Sequence, residues 1–545
     1  MKDPTRGYSD LHEHLEALKA RGLLQTVDRL IDKDSELHPL VRWQFVGGLA
    51  ESDRKAFLFT NITDGRGRSY SMPVVVGAIA ANRAIYSIGM GVPVEKIQAK
   101  WTQAIANPVA PRIVAGAQAL CQEVVIEGAA LRGEGNGLDR FPIPISTPGF
   151  DSAPTLTATN VITRDPETGI QNMGTYRAAL KAPDRLVVRM ATRVGGAGGY
   201  VHYQKHQKRG DKTMPCAIVL GCPPYVAFMG PQKLPVGVDE IAVAGGLAGA
   251  PINVVKARTV DLLVPAEAEI VIEGLIDTEY LEPEAPFGES HGHVALEEFN
   301  MPMRVTAITH RRNPVIPSYI SQVAPSESSV IKRVAYEPLF LAHLRSDLGI
   351  RGVKRVALHE PLTGLLRVTM IIVEKGMPRT EVWRALYGAA YFKGDCGKIC
   401  VAVNEDIDPD NADALLWAMA YRMNPVEDVR TLAHRGQGHG PKREHGQEED
   451  STLLMDATMK SDMPPLALPK KEFMEHAKAI WEELGLPGLR PQAPWFGYSL
   501  GDWLPQWDEA AKRAVEGRYL DNGRISEKQR RAGLKPETKF RPDER

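Results

Sequence analysis

The sequence predicts a mixed α/β fold (α+β) with three successive folded regions, residues 1–122, 123–325 and 326–500, and a charged C-terminal tail, residues 501–545. Three observations predict it. The composition is ordinary for a globular protein, with 43% hydrophobic and 24% charged residues among 545. Short apolar runs bounded by Gly and Pro are typical of strands. Other segments place apolar residues at helical spacing.

The first region begins with a helix. Asp10 and Glu13 resemble a capping box, and three leucines follow on one helical face. The runs AFLFTNI (56–62) and MPVVVGAIA (72–80) predict strands, and residues 94–122 predict helices that close an α/β unit.

The central region consists of short β-rich runs separated by Gly and Pro turns, a pattern typical of a barrel or a sandwich. The third region mixes strands and helices. Near its end, the segment KKEFMEHAKAIWEELGLPG predicts a helix with an apolar stripe. That stripe is either a core face or an intersubunit face, and its position near the end of the chain suits a role in oligomerisation.

Net charge and cysteine content narrow the range of functions that the protein could have. A formal net charge of -1 gives no basic excess that would attract nucleic acid or an anionic membrane. The first residues have no secretory signal, and no run is long enough to span a membrane, so we expect a cytoplasmic protein. Five cysteines, an odd number thinly spread, argue against a disulfide framework. Small-molecule chemistry is therefore the expected task.

The segment LEPEAPFGESHGH (281–293) is the first candidate for catalysis. Two prolines and a glycine restrict the backbone between Glu284 and Glu289, and Phe287 adds apolar surface. Burial and the proximity of two like charges would favour the protonated form of one glutamate, as a proton donor requires. The alternative is a solvated acidic turn.

Two further segments carry groups suited to ligands. Asn172 and Arg177 lie close together in TGIQNMGTYRAAL; the first offers a neutral oxygen ligand for Mg²⁺ or Mn²⁺, and the second offers a forked donor for a carboxylate. Glu240 stands just ahead of a helix and is either a hard oxygen ligand for the same ion or a first-turn acid. The glycine run RVGGAGGY (193–200) would allow close approach of a phosphate or flavin.

In order along the chain, these segments resemble the UbiD decarboxylase family. The matching segments are NMGTYR (172–177), VDEIAVAGG with Glu240, EAPFGE (284–289), GKICVAVNEDIDPDNADALLWAMAYRMNP (397–425) and LMDATMK (454–460). The resemblance implies a central split β-barrel domain that binds the flavin, after an N-terminal α/β region and before a C-terminal α/β oligomerisation domain.

The resemblance also implies the cofactors. These are prenylated FMN, made by a separate flavin prenyltransferase, a divalent ion (Mn²⁺, Mg²⁺ or Fe²⁺) and K⁺. Asn172 and Glu240 would be the metal ligands. The positions expected to contact the cofactor are Asn172, Thr175, Tyr176, Arg177, Arg189, Met190, Ala191, Gly195, Glu240 and Lys398. Some members have a histidine as third metal ligand; His202 is the nearest histidine here and is not included in the predicted set.

The function implied is reversible non-oxidative decarboxylation of an aromatic or α,β-unsaturated carboxylic acid, an aromatic acyl-CoA being one option. Arg177 would orient the substrate carboxylate or the charge of Glu284, and Glu289 would protonate the carbon. A homodimer or homohexamer is expected.

Three competing functions use the same residues differently. The principal one is a metal-dependent hydrolase that uses Asn172, Glu240 and the glutamate pair and needs metal alone. The second is a glycoside hydrolase with Glu284 and Glu289 as acid and nucleophile. The third is a non-catalytic assembly subunit, for which the matched acids, Asn172 and Arg177 would have no use.

Overall fold

The computed structural model describes residues 9–190, 198–232, 234, 237–284, 286–290, 292–295, 298–360, 366–392, 397–436, 449–460, 463–464, 470–489, 503–529 and 535. Within these ranges, no helix is both long enough and apolar enough to cross a lipid bilayer.

The N-terminal region alternates helices and short strands. Its elements are α1 (Leu11–Ala20), β1 (Leu24–Val27), β2 (Ile31–Asp32), α2 (Leu37–Val46), β3 (Ala56–Phe59), β4 (Ile62–Thr63), β5 (Ser69–Tyr70), β6 (Val74–Val76), α3 (Arg83–Met90) and α4 (Ile97–Ala106). The predicted cap is confirmed, because the Asp10 side chain accepts a hydrogen bond from the Glu13 N–H. The predicted helix over 94–122 is wrong beyond Ala106, where Pro108 and Pro111 cannot supply helical N–H donors.

The central region is rich in strands, as predicted. Its elements are β7 (Arg112–Ile113), β8 (Val124–Glu127), β9 (Thr155–Leu156), β10 (Thr159–Arg164), β11 (Gln171–Gly174), β12 (Ala178–Ala182), β13 (Arg185–Val188), α5 (Gly198–Arg209), β14 (Thr213–Leu220), α6 (Pro224–Ala227), α7 (Glu240–Ala248), β15 (Asn253–Lys256), β16 (Leu263–Pro265), β17 (Ile270–Asp277), β18 (Glu282–Glu284), β19 (Phe287–Gly288), β20 (Val294–Ala295), β21 (Glu298–His310) and β22 (Ile316–Ser318).

One large antiparallel sheet organises this region. Its strand order is β11-β10-β14-β17-β21-β13-β12-β9, and β8 and β18 also pair with β21. Among the described residues, β11 and β9 do not pair, so hydrogen bonds do not close the predicted split barrel. The predicted mixed α/β fold class is confirmed.

The sheet lies between two cores. Met214, Cys216 and Ile218 of β14 belong to one buried cluster, and Ala217 and Val219 belong to the other. Successive side chains of a strand point to opposite faces, so a strand buried on both faces reads as a continuous apolar run.

The third region contains a second sheet. Its elements are α8 (Glu327–Ala342), a π-helical turn (His343–Asp347), β23 (Val353–Leu358), β24 (Val368–Val373), α9 (Arg379–Tyr391), β25 (Ile399–Asn404), α10 (Ala412–Arg422), α11 (Pro425–Asp428), β26 (Val429–Gly436) and β27 (Glu449–Asp456), followed by α12 (Lys471–Glu483), α13 (Pro505–Val515) and α14 (Tyr519–Lys528). The strand order is β23-β24-β25-β27-β26.

Two features bear on the predicted division of the chain. Strand β22, from the end of the central region, pairs in parallel with β6 and completes the N-terminal sheet β1-β3-β6-β22. The predicted helix near residue 480 is present as α12, and its Phe473, Ile480 and Trp481 are exposed by 44%, 44% and 37%. Its stripe is therefore not a core face of the single chain. The domain boundaries remain predictions.

Candidate active site

Two arginines lie side by side at the ends of paired strands. Arg177 immediately precedes β12 and Arg189 immediately follows β13, and these strands pair with Ala178 opposite Val188. The ladder continues one step further, because the Arg189 N–H donates to the Arg177 carbonyl oxygen at 3.0 Å. Antiparallel pairing thus brings both guanidinium groups to one place.

Glu284 is held by three hydrogen-bond donors. Arg177 Nε donates to Oε1 at 2.7 Å and Arg177 Nη2 donates to Oε2 at 2.9 Å, a bidentate pair. Asn300 Nδ2 donates to Oε2 at 3.0 Å. Strand β18 pairs with β21 in a register that sets Glu284 opposite Glu298 and brings Asn300 near. Glu284 is only 2% exposed. A carboxylate this buried requires such compensation.

Glu289 lies just after β19, in the turn that leads to β20. Its N–H donates to the His293 carbonyl oxygen at 2.9 Å, and its carboxylate accepts hydrogen bonds from Arg177 Nη1 and Arg189 Nη1. The Phe287 ring packs beneath Arg177, with the ring centroid 4.6 Å from Cζ. Glu289 is therefore partly buried and paired with two arginines, rather than part of a solvated acidic turn.

Arg177 places a positive charge between the carboxylates of Glu284 and Glu289. Burial opposes its charge, but the hydrogen bond with Glu284 and the charges of both glutamates outweigh burial and raise the pKa of Arg177 above its usual value. The expected repulsion between two neighbouring carboxylates is thus offset by a cation between them. We call Arg177, Arg189, Glu284, Glu289, Glu298 and Asn300 the arginine–glutamate network.

The two predicted metal ligands, Asn172 and Glu240, come from strand β11 and the start of helix α7, which contact each other. Asn172, on β11, is opposite Thr163 of β10. The next residue, Met173, donates its N–H to Glu240 Oε2 at 3.1 Å. Glu240 begins α7, whose N-cap is Asp239. Burial, with a smaller contribution from the Asp239 charge, raises the pKa of Glu240 to about 7. Among the described residues, no cation forms an ion pair with its carboxylate.

This neighbourhood fits a polar ligand. Asn172 Nδ2 and Thr175 Oγ1 are buried without a hydrogen-bond partner in the described ranges. The backbone of Gly198 and Gly230 packs directly against these side chains: a Cβ would clash, 1.8 Å from Asn172 Oδ1 at Gly198 and 2.2 Å from Thr175 Oγ1 at Gly230. Buried polar groups normally have partners, so these residues fit a metal ion and a phosphate-bearing cofactor.

The remaining predicted cofactor positions divide into three groups. Tyr176 and Met190 pack against the start of α5, where the Gly199 N–H donates to the Tyr176 hydroxyl at 3.4 Å. Ala191 and Gly195 lie outside the described residues. Lys398 lies beside β25 and pairs with Asp450 of β27. The described contacts of Lys398 do not join it to the central region.

His202 lies close to Asn172 although it was left out of the predicted set. Its Nδ1 is 2.9 Å from the hydroxyl of Thr163, the strand partner of Asn172. Burial lowers the pKa of His202 to about 4, so the ring is neutral near pH 7, as metal ligation requires. No cluster of three or more His, Cys, Asp or Glu side chains arranged for a metal occurs in the described part of the chain.

Sequence reasoning missed Glu298 and Asn300. Arg189 Nη2 donates to Glu298 at 3.2 Å, and Asn300 holds Glu284. Both belong to the network only because β18 pairs with β21, and no local spacing encodes that pairing.

Two family models match the chain. Residues 112–323 match the 3-octaprenyl-4-hydroxybenzoate carboxy-lyase Rift-related domain, and residues 330–457 match the C-terminal domain of the same carboxy-lyase. The chain belongs to the UbiD family. It is therefore an enzyme of the carboxy-lyase, or decarboxylase, type.

Solved structures of UbiD enzymes share the fold. An evolved dimeric form of HmfF from Pelotomaculum thermopropionicum, in complex with prFMN, has a TM-score of 0.72 and 28% identity, over 85% of this chain and 97% of HmfF. Vanillic acid decarboxylase of Sedimentibacter hydroxybenzoicus, in open form with its second subunit truncated, has a TM-score of 0.70 and 22% identity, over 94% of this chain and 100% of its own. The latter shows likeness of fold alone.

Among curated proteins, two uncharacterized proteins match much of the chain. A protein of Archaeoglobus fulgidus is 28% identical over 377 residues, 67% of this chain and 74% of its own length. A Synechocystis protein is 26% identical over 446 residues, 78% of this chain and 84% of its own length. The comparisons give no support to the metal-dependent hydrolase.

Proposed function

We propose that this enzyme catalyses the reversible, non-oxidative decarboxylation of an aromatic or α,β-unsaturated carboxylic acid with prenylated FMN as cofactor. The observation that carries the proposal is the arginine–glutamate network, in which Arg177 binds Glu284 bidentately and also binds Glu289. The complex of HmfF with prFMN, from a protein of 28% identity, supports the choice of cofactor.

The cofactor would be held by the residues beside Asn172. Asn172 and Glu240 would bind a divalent ion, Mn²⁺ or else Mg²⁺ or Fe²⁺, that carries the phosphate, with K⁺ nearby; Thr175, Tyr176, Arg189 and Met190 would line the flavin. The unpartnered atoms of Asn172 and Thr175 support this assignment. Prenylated FMN, when bound, supplies the electron sink that loss of CO₂ from an unsaturated carbon requires.

The chain itself orients the substrate and moves one proton. Glu284 fixes Arg177 through two hydrogen bonds, so the guanidinium keeps one orientation. A substrate carboxylate that approaches the arginines competes with Glu289 for them. Loss of a cationic partner makes Glu289 easier to protonate, and Glu289 then donates that proton to the carbon that CO₂ has left. In the carboxylation direction, Glu289 removes the proton.

Glu289→Gln tests the proposal. In protein produced together with a flavin prenyltransferase, the variant should retain flavin absorption but lose decarboxylation by at least about 100-fold, because the amide keeps the shape and cannot donate an acidic proton. Glu282→Gln is the matched control: Glu282 lies on β18 two residues before Glu284, pairs with Arg185 outside the arginine–glutamate network, and can be changed with most activity retained. Normal turnover by Glu289→Gln would exclude it as the proton donor.

A panel of candidate substrates tests which carboxylic acid the enzyme decarboxylates. Aromatic, heteroaromatic and acrylic acids and an aromatic acyl-CoA thioester would be incubated with the reconstituted enzyme, and CO₂ release would be measured. Release from at least one of them that depends on flavin is expected. Turnover by metal-loaded, flavin-free protein would contradict the proposed cofactor.

A further inference from the structure

A cavity lies outside the arginine–glutamate network, and none of its lining residues belongs to that network. Its volume is about 710 Å³, and it opens to solvent between the start of α4 with the turn before it, α8 with its π-helical turn, and the beginning of the C-terminal sheet. Val94, Ile97, Val334, Pro338 and Leu341 give it an apolar wall. Cavities of this size suit a small organic molecule.

Part of the cavity wall is a fixed ionic network. Arg333 is buried and binds Glu337, Glu360 and Asp410 at 3.2, 3.2 and 2.9 Å. Arg83 binds Glu51 through both Nε and Nη2. These arginines line the cavity but have carboxylate partners of their own. They contribute rigidity rather than free positive charge.

Two further arginines of the lining have no such partners. Within the described ranges, the side chains of Arg345 and Arg351 form neither a hydrogen bond nor an ion pair. Arg345 and its neighbour Ser346 lie on the π-helical turn that follows α8. π-Helical turns are rare and occur often at functional sites, because they displace side chains from regular helical positions.

The lining charge is unbalanced. Arg355 also lines the cavity but pairs with Asp410 at 3.5 Å. In the described part of the chain, the lining arginines without a carboxylate partner are therefore Arg345 and Arg351, and the lining acids are Glu95 and Glu337. Glu337 is already bound to Arg333 and to the Leu358 N–H. A cavity with an apolar wall and unpaired guanidinium groups is complementary to a molecule with one anionic end and one apolar end.

We propose that this cavity is a binding site for a small amphipathic anion, whose carboxylate or phosphate group is bound by Arg345 and Arg351 and whose apolar part packs on Val94, Pro338 and Leu341. The site is separate from the proposed catalytic centre and does not depend on the chemistry carried out there.

Calorimetric titration of the flavin-loaded enzyme tests this site. Octanoate and octyl phosphate are the anionic probes, octanol shares their apolar part, and inorganic phosphate has only a charge. At least one anionic probe should bind about tenfold more tightly than octanol and than phosphate, and the better of the two identifies the preferred head group. Equal affinity for octanol, or no binding of either anionic probe, would overturn the proposal.

Variants locate the bound probe. Arg345→Gln with Arg351→Gln should weaken binding of the preferred anion about tenfold. Val94→Glu should weaken it too, since this exposed wall residue would then carry a repelling charge. The control is Arg258→Gln with Arg312→Gln, two exposed arginines outside the cavity, which should bind as the wild type does. Wild-type affinity in the Arg345/Arg351 variant would refute the site, and flavin content and unfolding temperature report on folding.

Discussion

Asn300 stabilises the proposed catalytic arrangement by donating a hydrogen bond to Glu284. Glu284 is almost fully buried and accepts two hydrogen bonds from Arg177 and one from Asn300. A buried carboxylate oxygen that loses a donor costs roughly 1–3 kcal/mol in desolvation that is no longer compensated. Glu284 would then shift towards Arg177 or towards water, and the guanidinium would lose its fixed orientation.

We therefore expect Asn300→Ala to lower kcat roughly tenfold and to leave flavin uptake unchanged. Asn300→Asp should lower activity further near pH 7, because it sets a second negative charge against Glu284, and should recover activity as the pH falls and one carboxylate is protonated. The measurement is the pH profile of kcat for both variants. Identical pH profiles for wild type and Asn300→Asp would contradict this role.

At the scale of single residues, the sequence was sufficient for one part of the site. Glu284 and Glu289 lie five positions apart in a constrained turn, and Arg177 follows a recognisable segment, so local pattern and family resemblance located them. Their mutual contacts required the pairing of β12 with β13. Asn300 and Glu298 belong to a strand whose partner is fixed only by tertiary packing, and no local pattern marks them.

At the scale of elements, two helices from distant parts of the sequence bind the same loop. The ring of His14, on α1, has Nε2 2.7 Å from the Ala78 carbonyl oxygen. Glu327, the first residue of α8, accepts hydrogen bonds from three backbone N–H groups of the loop 77–80. Both side chains are fully buried. The loop thus joins the first helix to the helix that leads into the third region.

His14 should make this junction sensitive to acid. Burial lowers the pKa of His14 to about 4, whereas an unfolded histidine titrates near 6.5. Between these values the unfolded chain binds the proton and the folded chain does not, so stability is lost as the pH falls, by up to about 3 kcal/mol. Glu327, whose pKa burial raises to about 7, has the opposite slope. A variant of His14 must therefore be compared with the wild type at each pH, because Glu327 contributes the same slope to both proteins.

His14→Gln keeps a donor for Ala78 and cannot titrate. We expect its unfolding temperature to fall less than that of the wild type between pH 7.5 and pH 5, as measured by calorimetry. His476→Gln, at an exposed position of α12, should follow the wild type. Parallel curves for wild type and His14→Gln would show that His14 does not control the acid response.

The fold was predictable where the pattern is local. Asp10 marked the start of α1, and apolar runs located β3 and β6. The strand order of the large sheet and the joining of β22 to β6 depend on contacts between segments far apart in the chain. Such contacts have no periodic signature, so local pattern predicts the elements but not how the strands of distant segments pair.

At the scale of the whole molecule, the exposed stripe of α12 suggests assembly. Phe473, Ile480 and Trp481 are apolar, and all three are more than a third exposed. An apolar stripe on a surface helix is stabilised when a second surface covers it. This supports the predicted homodimer or homohexamer, which remains a proposal.

Phe473→Glu with Ile480→Glu should therefore reduce the oligomeric state, because two charges would have to be buried in the contact. Size-exclusion chromatography with light scattering measures the mass in solution. Lys478→Glu, a change of charge at an already charged position of the same helix, is the control and should leave the mass unchanged. An unaltered mass for the Phe473/Ile480 variant would exclude this stripe from the assembly contact.

Strand β22 limits how the chain could be shortened or recombined. It lies some 240 residues after β6 in the sequence, yet it is the outer neighbour of β6 in the N-terminal sheet. A fragment that ends near residue 122 would leave β6 with a bare, apolar edge, and bare edges promote aggregation. Exchange of the N-terminal region between homologues would need to carry β22 with it. The N-terminal sheet is thus built from residues 1–122 together with a strand from the end of the central region.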